Sequence, residues 1–184
     1  LAPRGFALWA LGFRPFYLLG AAYAAVSVVL WGLQFAGLLP FEALPGPSWH
    51  GHEMLFGFAL AIVAGFLLTA VRNWTQQPTP TGAPLAALVA LWIAARVLMY
   101  TPWGIAAAVA NVAFPLALAY AIAVPLARAG NRRNYFFPLL LVALAGAVLA
   151  MHLAMLDAIA LHFGAPLRLA LDLVLFIVAV VAGR

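Results

Sequence analysis

The chain has 184 residues, 68% of them hydrophobic and 7% charged, with a mean hydropathy of +1.12. A soluble domain is about half apolar and about a quarter charged, so nine basic and four acidic residues are too few to solvate a globular surface. A water-soluble single domain is excluded, as are a disordered chain and a nucleic-acid-binding tail, despite the formal charge of +5.

The apolar runs predict an all-α polytopic transmembrane bundle of roughly six spans, each needing about 20 residues. In chain order the spans are approximately 16–39, 53–71, 84–100, 105–127, 136–156 and 166–182. Pro/Gly-rich or Arg-rich breaks separate them, and Pro15, Pro84, Pro138 and Pro166 suit first helical turns. Pro115 and Pro125 fall inside the fourth span, where a kink is expected. We read the chain as one membrane domain, the N-terminal half of a longer protein of roughly twelve spans.

Orientation follows from arginine, since all nine basic residues are Arg. Arg4, Arg14, Arg72, Arg128, Arg132, Arg133 and Arg184 fall at the N-terminus, in the even-numbered loops or after span six. The loops 40–51, 101–104 and 157–165 contain none. Positive charge marks the cytoplasmic side, so the N-terminus is expected inside.

With cysteine absent, disulfides, thiolate metal sites and iron–sulfur clusters are excluded. Any metal must use His, Met, carboxylate or backbone donors. The topology puts His50 and His52 at the outer entrance of span two and His162 in an outer loop. His152 lies 16 residues into span five, roughly 24 Å from its cytoplasmic start. Arg96 and Asp172 also fall in outer halves, and Glu53 adjoins His52. Ionisable groups at membrane depth are costly and mark functional sites by default. Imidazole is the commonest metal ligand, and helix-borne histidines also hold haem in membrane bundles.

These positions carry specific expectations. His52 and His152 are candidate haem ligands, and His50 and His162 candidate ligands of a second metal. On a helix His50 and His52 diverge by about 200°. Alternatively they chelate together from an extended turn, with Ser48 as the cap of the helix that follows. Glu53 is placed to orient a ligating histidine from behind. Arg96, with no obvious local partner, and Arg168 are candidates for haem propionates, although Arg168 and Asp172 are four apart and suited to pair. Glu53, Gly57, Ala61 and Gly65 recur every four residues, a stripe that favours close helix packing. The six tryptophans read mostly as interfacial belt residues; Met54, Met99, Met151 and Met155 could offer thioether sulfur to Cu(I), but with only the one spaced pair, 151 and 155, they read as core filler.

Taken in order, Gly12-Phe-Arg-Pro-Phe16, Trp49-His-Gly-His-Glu-Met-Leu-Phe-Gly-Phe58, Gly65-Phe-Leu-Leu-Thr-Ala70, Asn73-Trp-Thr75, Asn131-Arg-Arg-Asn134 and Met151-His-Leu153 resemble the NnrS family. That family comprises haem- and copper-containing proteins of the bacterial inner membrane associated with the nitric oxide response. The resemblance runs through the whole chain and implies a part in resisting nitrosative stress, often beside denitrification. It implies haem, of b-type, and copper as cofactors, with no settled catalytic reaction. Nitric oxide is the expected small ligand. Expected partners are the lipid bilayer, the second half of the chain and other respiratory membrane proteins. His50, His52, Glu53 and His152 sit in family motif positions, whereas Arg72 departs from the proline of many relatives. Two other classes compete: a redox enzyme subunit passing quinol electrons, and a copper or small-solute transporter. The transporter predicts polar groups through the bilayer depth, yet the inner half of the spans is nearly bare apart from Asn111 and Thr69.

Overall fold

The computed structural model describes residues 7–39 and 46–183, so Arg4, Arg184 and part of the first outer loop lie outside it. Among the described residues every regular element is helical. A short 3-10 turn, Ala7–Ala10, leads into α1 (Phe13–Phe35). Then α2 (Gly46–His52), a π-helical stretch (Glu53–Ala59) and α3 (Leu60–Thr75) run on as one rod. After it come α4 (Ala83–Leu98), α5 (Gly104–Arg128), α6 (Phe136–Met155) and α7 (Gly164–Ala182).

Among the described residues five helices are long and apolar enough to cross a membrane: α1, the rod Pro47–Thr75, α5 (Gly104–Arg128), the segment Arg132–Met155 that contains α6, and α7. The six-span expectation is met in number of apolar helices but not in length. At 16 residues α4 is about 24 Å long, short of a hydrocarbon core of about 30 Å. The second helix starts earlier than expected, at Gly46 rather than Glu53, so Ser48 lies inside it and is no cap. Both internal prolines are accommodated, since α5 continues through Pro115 and Pro125.

Turn chemistry explains where helices stop. Gln76 ends α3 in the left-handed region at φ 54°, its N–H returning to the Arg72 carbonyl at 2.9 Å. Gly130 (φ +61°) closes α5, where Asn131 N–H reaches back to Leu126 O and Gly130 N–H to Ala127 O. That paired pattern needs a residue without a Cβ penalty at positive φ.

Packing centres on the rod, 67% of whose apolar window is buried, against 17% for α1 and 22% for α7. Helices α4 to α7 pack successively as neighbours, and α1 and α5 both lie on α3. The small-residue stripe is where α1 docks. A Cβ on Gly65 would stand 2.9 Å from the Tyr17 ring and 3.0 Å from the Phe13 backbone, while one on Gly20 would meet Ala61 at 3.3 Å. Thr69 is absorbed by the same contact: its hydroxyl accepts the Phe13 N–H at 3.3 Å and donates to Gly65 O at 2.9 Å. Trp49 and Trp92, expected in the interfacial belt, are instead buried.

Gly65→Val should therefore cost about 1–3 kcal/mol through overpacking against backbone. Gly146→Ala, where a Cβ meets nothing within 4 Å, should be neutral or stabilising by up to about 1 kcal/mol. Thermal unfolding of both variants in detergent checks the pair.

Candidate functional site

Five helical elements bring polar side chains, all buried except the half-buried Tyr23, to one level. Tyr23 comes from α1, His52 and Glu53 from the junction of α2 with the π-helical stretch, Arg96 from α4, Asn111 from α5 and His152 from α6. His52 and Glu53 are 0% exposed, and His152, Asn111 and Arg96 are 1%, 2% and 4% exposed.

Glu53 is the node. Its Oε2 accepts from Arg96 Nη1 at 2.5 Å and from the Tyr23 hydroxyl. Its Oε1 lies 2.7 Å from His52 Nδ1. Paired with arginine, the carboxylate is an acceptor only, so His52 Nδ1 carries the proton and Nε2 presents its lone pair. Arg96 Nη2 donates to Asn111 Oδ1, and Asn111 Nδ2 donates to Ala107 O at 2.9 Å. The Tyr23 hydroxyl also meets that of Tyr100.

Gly57 makes room for this assembly. A Cβ there would stand 2.6 Å from the Tyr23 ring, 3.0 Å from Glu53 Oε2 and 3.2 Å from Arg96 Nη1. Its carbonyl accepts from Trp92 Nε1 at 3.0 Å, and Trp92 packs edge-on against Tyr23. The π-helical stretch begins at Glu53 itself; such widened turns are rare and concentrate at functional sites.

The second histidine approaches from α6. The rings of His52 and His152 stand 5.4 Å apart, centre to centre, at 88° to each other. Both Nε2 atoms are buried with no hydrogen-bond partner. Leaving a buried polar atom unmet costs about 1–3 kcal/mol, so two orphan imidazole nitrogens on neighbouring rings require an explanation.

The other candidates fall elsewhere. His50 stacks on Trp31, with ring centres 4.2 Å apart and planes at 16°. Because residues 46–52 are already helical, the extended-turn chelation by His50 and His52 does not occur. His162 is exposed, and its Nδ1 accepts the Gly164 N–H at 3.2 Å. Arg96, expected to lack a local partner, spends its guanidinium on Glu53 and Asn111. Arg168 and Asp172 are both exposed, and the expected ion pair between them is not formed. Among the described residues no group of three or more His, Asp or Glu side chains stands ready to hold a metal.

Two members of the cluster escaped the sequence reading. Tyr23 carried no signal beyond its place in an apolar helix. Asn111 was grouped with the inner half, but it is only seven residues from Gly104, where α5 begins on the outer side. Its depth alone could have placed it beside Arg96. At the opposite end, between α1 and α3, a cavity of about 320 Å³ is lined by Phe13, Tyr17, Phe66 and Trp74 with Thr69, Ala70 and Asn73, and has no titratable group other than the Tyr17 phenol.

Removing one partner of a buried ion pair strands the other charge, a loss of about 3–5 kcal/mol. Arg96→Met alone should therefore destabilise the bundle by that amount. The double variant Glu53→Gln/Arg96→Met should recover at least half of the loss in thermal unfolding; additive losses would show that the two side chains are energetically independent.

Comparison with known proteins gives one finding. No curated protein and no solved structure matches the chain. The family model described as NnrS protein matches residues 7–184, and the chain belongs to the NnrS family.

Proposed function

We propose that this protein acts in the bacterial nitric oxide response as a metalloprotein of the inner membrane, with a copper ion held between His52 and His152. The observation that carries the reading is the pair of buried, unpartnered Nε2 atoms on rings 5.4 Å apart. Family membership supplies the physiological setting, and the apolar helices supply the membrane.

The donor set fits a single ion better than a haem. With metal–nitrogen bonds of about 2.0–2.1 Å and about 1.1 Å from nitrogen to ring centre, one ion reaches two imidazoles whose centres are up to about 6.3 Å apart. The observed 5.4 Å lies inside that limit. Two axial ligands of one haem need the full separation and a porphyrin-wide slot between the rings. Here both rings are enclosed by packed side chains, with Phe56 5.1 Å from His52. His52 and His152 do not fit as opposed ligands of one haem in this arrangement. Nor is Arg96 free to clamp a propionate.

The chain's own residues divide the remaining work. Glu53 holds the His52 ring by Nδ1, and Arg96, Tyr23 and Asn111 hold Glu53. Such outer partners fix tautomer and direction, and their loss typically weakens a metal site by 10–100-fold. A bound redox ion would supply a coordination position for a small neutral gas within the apolar phase.

Purified protein should contain copper that falls at least tenfold in both His52→Ala and His152→Ala and persists in Arg168→Ala. The wild-type gene, but neither histidine variant, should restore growth under nitric oxide to a strain lacking it. Copper content unchanged in both histidine variants would overturn the reading.

A further inference from the structure

We infer that the His52–His152 pair is built for a monovalent d10 ion, Cu(I), bound by two neutral imidazole nitrogens with no carboxylate in its coordination sphere. This rests on the metal-site reading above and narrows it to an oxidation state and a ligand count. Three features of the cluster lead there.

The first is the number of donors left. Glu53 is the one acid in the cluster, and both its oxygens are engaged: Oε1 by His52, Oε2 by Arg96 and Tyr23. Asn111 is likewise committed, accepting from Arg96 and donating to the Ala107 carbonyl. The two Nε2 atoms are what remains. Zinc takes four ligands in structural sites and cupric copper a tetragonal set. Two nitrogens satisfy neither, whereas Cu(I), with a filled d shell, is stable with two in a near-linear arrangement, which the two rings reach by moving from 5.4 Å to about 6.3 Å apart.

The second is charge. Glu53 and Arg96 cancel each other, and both histidines are neutral as ligands. Among the described residues no further anion faces the site, because Asp157 and Asp172 are exposed on the surface. Any ion entering therefore brings its full charge into a buried, low-dielectric position. The cost of burying a charge grows with its square, so a divalent ion meets about four times the penalty of a monovalent one. Sites for divalent ions offset this by ligating with carboxylate. Here arginine withholds the carboxylate.

The third is direction. Because Glu53 accepts the Nδ1–H of His52, the neutral tautomer with a free Nε2 is selected before any ion arrives. A site that relied on the carboxylate as a ligand would leave it uncommitted.

The test is a competition titration of the purified full chain in detergent, without oxygen. Cu(I) is titrated against bicinchoninate, and Zn(II) and Cu(II) against their own chromophoric chelators. The expected result is one Cu(I) per chain, held at least 100-fold more tightly than Zn(II) or Cu(II). X-ray absorption should show two nitrogen neighbours. Binding should fall at least 100-fold in His52→Gln and His152→Gln, with helix content by circular dichroism confirming that each variant folds. Tyr23→Phe, which removes one support of Glu53 and leaves the ion pair, should weaken Cu(I) about tenfold at unchanged stoichiometry. Zn(II) or Cu(II) bound as tightly, and lost with the same two histidines, would overturn the monovalent assignment while the metal site stands. Cu(I) retained in both histidine variants, or no metal bound by the wild type, would overturn both.

Discussion

A carboxylate at membrane depth has to be met by a cation, and the Glu53–Arg96 contact is where this bundle meets that demand. The pair spans 43 residues of sequence and joins the central rod to α4. Such a pair adds little net stability, because desolvation offsets much of the attraction. What it imposes is arrangement. Tyr23 and Asn111 complete the hydrogen bonding, so α1 and α5 must also present one particular face to the node. His52 is carried along as the neighbour of Glu53, and His152 of α6 packs against it.

That constraint matters more in lipid than in water. Apolar helices gain no hydrophobic driving force from meeting each other in a bilayer, so close packing and polar contacts set their order. The stripe Gly57, Ala61, Gly65 provides the first, admitting Tyr17, Gly20 and Tyr23 of α1 against the rod. The Glu53 node provides the second. They are one device, since Gly57 belongs to both: its missing side chain is the space in which Tyr23 and Arg96 reach the carboxylate.

This division explains what could be read from the residues alone. Helical class, the approximate spans and the depth of His52, Glu53, Arg96 and His152 follow from run length and punctuation, which measure position along the membrane normal. Rotation about each helix axis does not follow. A helix apolar on all sides carries no pattern that says which face is inward. Hence the partner of Arg96 was invisible, and Trp49 and Trp92 read as belt residues although they are buried. Arg168 and Asp172 failed differently. Their four-residue spacing permits a pair, but spacing does not fix the rotamers that would close one, and both side chains are exposed. The stripe of small residues was legible because glycine at that spacing has few other uses in a membrane helix.

Burial also limits what could reach the histidine pair. With His52 0% and His152 1% exposed, an anion or a hydrated solute would have to shed its water with no countercharge on offer, since Arg96 is already spent on Glu53. A small neutral molecule dissolved in the acyl chains faces no such cost, and would reach the pair from the side rather than through an aqueous mouth. On the proposed function, the features that would hinder a transported ion are therefore the same ones that would suit the site to a membrane-soluble gas. In the proposed metal site, shielded imidazoles, a cancelled charge pair and a locked tautomer would together favour an immobile ion reached by a mobile ligand.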